Sequence, residues 1–181
     1  MVFEAARKQL QKLQDEEIFE GIKSAAYLAR AYELALNSPD PSTQNGAILV
    51  KNGEIIGEGW NAPPTGVELT EERLVRPNKY HFFEHAERNA IFSAARRGEC
   101  TVGSVMYCPY IACADCGRAI IQAGVKKVVG HALFKPEEDD SWYESCSIAF
   151  GMLEEAGVEI VWYEGKIGCS PVLHREMSVY P

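Results

Sequence analysis

The chain has 181 residues, 46% of them apolar, with 26 acidic against 18 basic side chains and a formal net charge of −8. Such a length and apolar content suit one compact domain with a buried core. The acidic balance argues against a polynucleotide partner such as tRNA or DNA, because affinity for these comes from neutralising phosphates with a basic face.

The N-terminus Met1-Val2-Phe3-Glu4 lacks the apolar stretch and cleavage site of a secretory leader, and no apolar run approaches the length of a membrane helix. The expectation is a cytoplasmic protein, so Cys100, Cys108, Cys113, Cys116, Cys146 and Cys169 read as reduced thiols rather than a disulfide framework. Residues 4–36 predict a helix, with Leu10, Leu13, Ile18, Ile22, Leu28, Ala31 and Ala35 at helical spacing and Gly21 as the point where it would break in two. The turn-rich run 37–42 ends it. Residues 47–50 read as a buried strand, Asn52-Gly53 as a hairpin turn and residues 55–60 as the return strand. Residues 61–80 form a long connection with Pro63, Pro64, Gly66 and Pro77, of a length that usually carries function. Helices are predicted over 84–97, 113–123 and 141–156, closed by Gly98, Gly124 and Gly157. Strands are predicted over 104–108, 125–130 and 158–163. The tail, 164–181, shows no period. This order implies one central sheet with helices on both faces. Residues 1–181 are read as a single domain, with a catalytic core over about 22–163, an N-terminal helical extension and a C-terminal tail.

Two short runs carry chemistry: His85-Ala86-Glu87 and Cys113-Ala114-Asp115-Cys116. A catalytic zinc takes three protein ligands and keeps its fourth position open. One imidazole and two thiolates supply those ligands, and Glu87 is left over to move protons as general acid and base. Each run opens a predicted helix, so both helix N-termini face the metal. That favours thiolate over thiol and supports negative charge there. A Cys-x-x-Cys alone also serves as a redox pair or as half of a structural zinc site, but neither reading explains His85 and Glu87. His-x-Glu followed by Cys-x-x-Cys is the arrangement of zinc-dependent nucleobase deaminases. His81, His131 and His174 read as surface or loop histidines, and Arg73, Arg76, Lys79 and Arg88 as solvated charge or as donors to a phosphate-bearing substrate.

These residues resemble the zinc-dependent cytidine and deoxycytidylate deaminase superfamily, and within it the deoxycytidylate (dCMP) deaminases. The likeness runs from about Asp40 to Val161. It rests on Asp40-Pro41-Ser42-Thr43-Gln44-Asn45-Gly46-Ala47, Gly59-Trp60-Asn61, Pro64-Thr65-Gly66-Val67, the acidic run Thr70-Glu71-Glu72-Arg73, His85 to Ile91, and Ala119 to Val125. The resemblance implies an α/β fold, a three-layer α/β/α sandwich with a mixed five-stranded sheet. It implies Zn2+ as cofactor, hydrolysis of dCMP to dUMP and ammonia in the supply of thymidylate, and a homo-oligomer from dimer to hexamer. It also implies that Asn61 contacts substrate, that the Ala86 backbone N–H meets the pyrimidine carbonyl, and that Thr43 and Asn45 lie near base and sugar. Ala112 replaces the usual proline before the first metal cysteine, Asn45 the usual valine and Ala62 the usual glycine of a segment tied to regulation by dCTP and dTTP. Residues 131–142 lack the segment seen in regulated enzymes. Alternatives in the same superfamily act on a modified deoxycytidylate, a nucleoside or a free base such as guanine. A non-enzymatic zinc module is the alternative outside it.

Overall fold

Alternation along the strands decides the layers. In β1 (Gly46–Lys51), Ala47 and Leu49 face one side and Ile48 and Val50 the other, as a two-residue repeat requires. Both sets are buried, so the sheet is covered on both faces. β1 pairs antiparallel with β2 (Glu54–Trp60) across a turn in which Asn52 and Gly53 have φ of 53° and 85°. That double positive φ is what an Asn-Gly pair allows in a tight hairpin. On its other side β1 pairs antiparallel with β3 (Val105–Tyr107), and β4 (Lys127–His131) and β5 (Glu159–Tyr163) continue parallel to β3. The strand order β2-β1-β3-β4-β5 is the mixed five-stranded sheet expected.

The computed structural model describes residues 2–181, and the side chains of 11–14 and 16–181. Ala47, Leu49, Met106 and Val128 pack beneath α3 (Ala86–Arg96), α4 (Ala114–Gln122) and α5 (Tyr143–Glu155). Ile48, Val50, Tyr107 and Val129 pack against Leu28 and Leu34 of α1 (Val2–Ala35). The result is the three-layer α/β/α sandwich. α1 runs through Gly21 without a break. Among its described side chains the C-terminal part covers the sheet: Leu28, Ala31 and Ala35 are buried, while Leu13, Ile18 and Ile22 are exposed despite their helical spacing. Leu10 lies outside the described side chains. Among the described residues, no helix is long and apolar enough to cross a membrane.

Two features position the site. α3 lies so close to β2 that a Cβ on Gly59 would sit 2.4 Å from the Ala90 nitrogen and 2.7 Å from the Ala86 carbonyl oxygen, so only glycine permits this approach. The tail is the second, and here the structure adds what the sequence did not predict. β6 (Val172–His174) and β7 (Met177–Val179) form a hairpin whose turn residues, Arg175 and Glu176, have φ of 53° and 67°. The Gln44 N–H donates to the Leu173 carbonyl (2.8 Å), the Leu173 N–H to Gln44 Oε1 (3.1 Å) and the Glu176 N–H to the Ser42 carbonyl (2.7 Å). These bonds fasten the tail to the segment that leads into β1. The long connection after β2 contains a one-turn 3-10 helix, Glu71–Arg73, and the short α2 (Lys79–Phe82).

Candidate active site

The β2–α3 connection, the β3–α4 turn and the segment before β1 meet at one edge of the sheet, because β1 begins where β2 and β3 end. α3 and α4 each start there. His85 and Cys113 take their N-cap positions, with extended backbone and no side-chain cap bond. Those positions usually hold Ser, Thr, Asp or Asn bonded to the helix's own N–H groups. Here the side chains turn to each other instead. His85 Nδ1 lies 3.4 Å from Cys113 Sγ and 3.5 Å from Cys116 Sγ, and all three atoms fall within 4.8 Å of one another. Zinc bonds of about 2.3 Å to sulfur and 2.0–2.1 Å to nitrogen, set tetrahedrally, separate sulfur from nitrogen by about 3.5 Å. The donor set therefore fits zinc in both chemistry and spacing. Among the described residues this is the one cluster of three or more His, Cys, Asp or Glu side chains able to hold a metal. Groups this close share protons: Cys113 is pushed down, first by the hydrogen bond from Cys116 and also by His85, and Cys116 is pushed up in return. Arg88 donates to Cys116 Sγ (3.6 Å) while paired with Glu84, so it backs the sulfur rather than lying in solvent.

The cluster opens on a cavity of about 410 Å³. Glu87, one residue into α3, lines it and is only 2% exposed. Burial pushes its carboxyl up, against the opposing pull of His85. Ala86 also lines the cavity, and as the first residue of α3 its N–H has no partner within the helix. Thr43, Asn45 and Asn61 line the wall as well. Asn61 takes the Asn45 N–H on Oδ1 (2.8 Å) and donates Nδ2 to the Thr43 carbonyl (2.8 Å), so its amide ties two wall segments together. Asn45 donates Nδ2 to the Tyr110 carbonyl (2.9 Å) and to Cys108 Sγ (3.2 Å).

Several residues at or near the wall have surroundings that the sequence did not predict. Asp40 accepts the N–H groups of Ser42 (2.8 Å) and Thr43 (3.2 Å) and pairs with Lys79 at 2.9 Å. Lys79 is 5% exposed, a correction to its reading as solvated charge, because the α2 turn folds it inward onto that carboxylate. Arg73 lies over the Phe82 ring. Trp142 sits edge-on to His85 at 5.9 Å between ring centres. Two histidines also differ from the surface reading: His131 is buried, and His174 lines the cavity between Tyr110 and Phe134. No local sequence signal marks His174, since the tail hairpin that brings it in has no period of its own; His131 is buried because it closes β4 beneath α1 and the tail. The remaining cysteines are free thiols: Cys108 and Cys146 are buried and Cys169 half-buried, while Cys100 is exposed.

Residues 22–132 match the cytidine and deoxycytidylate deaminase zinc-binding region. The chain belongs to that family. It is similar to an uncharacterised deaminase of Aliivibrio fischeri, 36% identical over 69% of this chain and 82% of that protein. It is also similar to the deoxycytidylate deaminase of enterobacteria phage T2, 29% identical over 77% of this chain and 91% of that one. The mouse deoxycytidylate deaminase is 36% identical over 57% of this chain and 61% of its own length. Among solved structures, the dCMP deaminase of cyanophage S-TIM5 in complex with dCMP and dUMP superposes with a TM-score of 0.60 at 32% identity, over 81% of this chain and 96% of that one.

Proposed function

We propose that this protein is a zinc-dependent hydrolase that converts dCMP to dUMP and ammonia. The observation that carries this reading is the convergence of His85, Cys113 and Cys116 beside the buried Glu87 carboxyl, at a cavity large enough for a small-molecule substrate. The dCMP deaminases among its relatives, one of them solved with dCMP and dUMP, support the choice of substrate.

His85, Cys113 and Cys116 would hold the zinc. When bound, the ion supplies a water acidified to a pKa near 7, a nucleophile available at neutral pH. The protein's own groups do the rest. Attack at the carbon bearing the amino group needs the ring nitrogen protonated, and departure of ammonia needs a proton on the leaving nitrogen. Glu87 would carry the water's two protons in turn, the first to the ring nitrogen and the second, released as the new C–O bond becomes a carbonyl, to the leaving nitrogen; burial raises its affinity for the proton it must hold between these transfers. The Ala86 N–H is assigned to the pyrimidine carbonyl. Asn61, Thr43 and Asn45 are assigned to the wall that seats base and sugar, Asn61 through the two segments it ties together. We place the activity in the cytoplasm, in a homo-oligomer that serves pyrimidine nucleotide metabolism and needs no polynucleotide partner. The acidic composition and the absence of a membrane-crossing helix among the described residues are in keeping with this.

The test is ammonia release by the purified, zinc-loaded protein from dCMP, deoxycytidine, cytidine and guanine. dCMP is expected to be consumed with the highest kcat/KM. Consumption of guanine with dCMP inert would move the substrate assignment and leave the metal site standing.

A further inference from the structure

Residues 42–45 run along the cavity wall between two chemically different ends. At one end Asn45 bonds Cys108, which packs in the same buried cluster as Ala86, Cys113 and Cys116. That is the end where an amino group would be hydrolysed. At the other end the Ser42 and Thr43 hydroxyls lie 3.5 Å apart. Arg76 Nη2 donates to Ser42 Oγ at 2.9 Å, and the Arg175 backbone N–H donates to Thr43 Oγ1 at 3.2 Å. Both arginines line the cavity. No carboxylate among the described residues pairs with Arg76, so its charge is open to a ligand. Arg175 is steadied by an ion pair with Asp140, itself only 9% exposed. Arg175 reaches this place because it and Glu176 turn the tail hairpin with positive φ, a conformation side-chain-bearing residues adopt rarely. The hairpin lies outside residues 22–132, the part that carries the family match.

We propose that Arg76 and Arg175, with the Ser42 and Thr43 hydroxyls beside them, form an anion seat for the phosphate of a nucleoside 5′-monophosphate, so that the C-terminal hairpin sets the preference for nucleotide over nucleoside. This rests on the reading of the cavity as a pyrimidine deaminase site and adds the part of the substrate that the metal end cannot see. Two guanidinium groups and two hydroxyls are the donors that a phosphate monoester recognises. Lys79 does not share this role: its side chain is buried and bonds both Asp40 oxygens, whereas the Arg175 side chain, although paired with Asp140, stays 45% exposed. Inorganic phosphate carries the same chemistry and should occupy the same seat.

The experiment uses the full chain loaded with zinc, as wild type, Arg76→Met, Arg175→Met, the double variant and Arg175→Lys. The first readout is the ratio of kcat/KM for dCMP to kcat/KM for deoxycytidine. The second is the affinity for inorganic phosphate by calorimetry, which needs no turnover. A charge-assisted hydrogen bond corresponds to about tenfold or more in affinity. Each methionine variant should therefore lower the ratio by about tenfold and the double by more, with phosphate binding weakened in step, while Arg175→Lys keeps most of the ratio. An unchanged ratio in the double variant, or equal losses on both substrates with phosphate binding intact, overturns the proposal. If the double variant does not show a cooperative thermal melt, the single variants and Arg175→Lys carry the same decision. dCMP consumed by wild type with an unchanged ratio in the variants defeats the anion seat alone. dCMP inert while another aminated base is consumed defeats the dCMP reading as well.

Discussion

Two carboxylates in this site have opposite surroundings. Asp40 is buried but satisfied: it accepts backbone N–H groups and holds the Lys79 ammonium. Removing one partner of such a pair leaves the other as an uncompensated buried charge, so its place is in shaping the wall. Glu87 is buried beside His85 with no cationic partner bonded to its carboxyl among the described residues. Burial lifts its affinity for a proton, the property a group needs if it is to take and return protons near neutral pH. Glu87→Gln keeps the volume and removes the base. Its turnover is expected to drop by roughly 10²–10⁴ or more, with zinc content by atomic absorption and the thermal midpoint close to wild type. Turnover retained in that variant would take the proton-transfer role away from Glu87.

At the scale of elements, the placement of α3 decides whether the ligands meet. β2 presents Gly57 and Gly59 to this helix, and a Cβ at either would lie 2.4 Å from its backbone. Gly59→Ala must push α3 outward, and His85 is the residue at the helix's N-cap. The expected result is a loss of about 1–3 kcal/mol or more in urea unfolding, the range for overpacking a tight contact. Weaker zinc binding should accompany it in competition with a chelating dye, because imidazole and thiolates would no longer be spaced for one ion. Helices and strands of the core were legible in the sequence because each has a strong period or punctuation: valines in β4, Asn-Gly after β1, glycines closing α3, α4 and α5. The metal-type cluster was legible because its residues are local pairs at the starts of helices. The tail hairpin was not, since β6 and β7 are three residues each and Arg175-Glu176 is not a pair that signals a turn with positive φ. Lys79, His174 and Arg175 were misread or missed for the same reason. Their environment comes from segments far away in sequence, and no local pattern encodes it.

For the molecule as a whole, one buried network joins layers that the sheet alone does not. His131 at the end of β4 bonds Tyr32 of α1 through Nδ1 (2.6 Å) and the Gly165 carbonyl of the tail through Nε2 (2.8 Å). A carbonyl only accepts, so Nε2 carries the proton and Nδ1 accepts from the Tyr32 hydroxyl. Phe134 and Tyr163 lie against the same ring, and no carboxylate among the described residues bonds it. Burial accordingly holds the His131 pKa below its ordinary 6.5, against a smaller opposing effect of the Gly165 bond. A second proton would sit on Nδ1 facing Tyr32, whose hydroxyl would have to turn and leave its own hydrogen without an acceptor in a buried place. Below 6.5 the unfolded chain takes up a proton that the folded one resists, so the unfolded state binds more protons and stability falls as pH falls. Above 6.5 both states are neutral and the contribution is fully present. Urea unfolding midpoints should therefore decline from pH 7.5 to 5.5. The decline should be shallower in His131→Gln, whose difference from wild type cancels the protonation of the metal ligands common to both. Equal slopes for the two proteins would mean that the network joining α1, the sheet and the tail tolerates an imidazolium, and that acid sensitivity arises elsewhere.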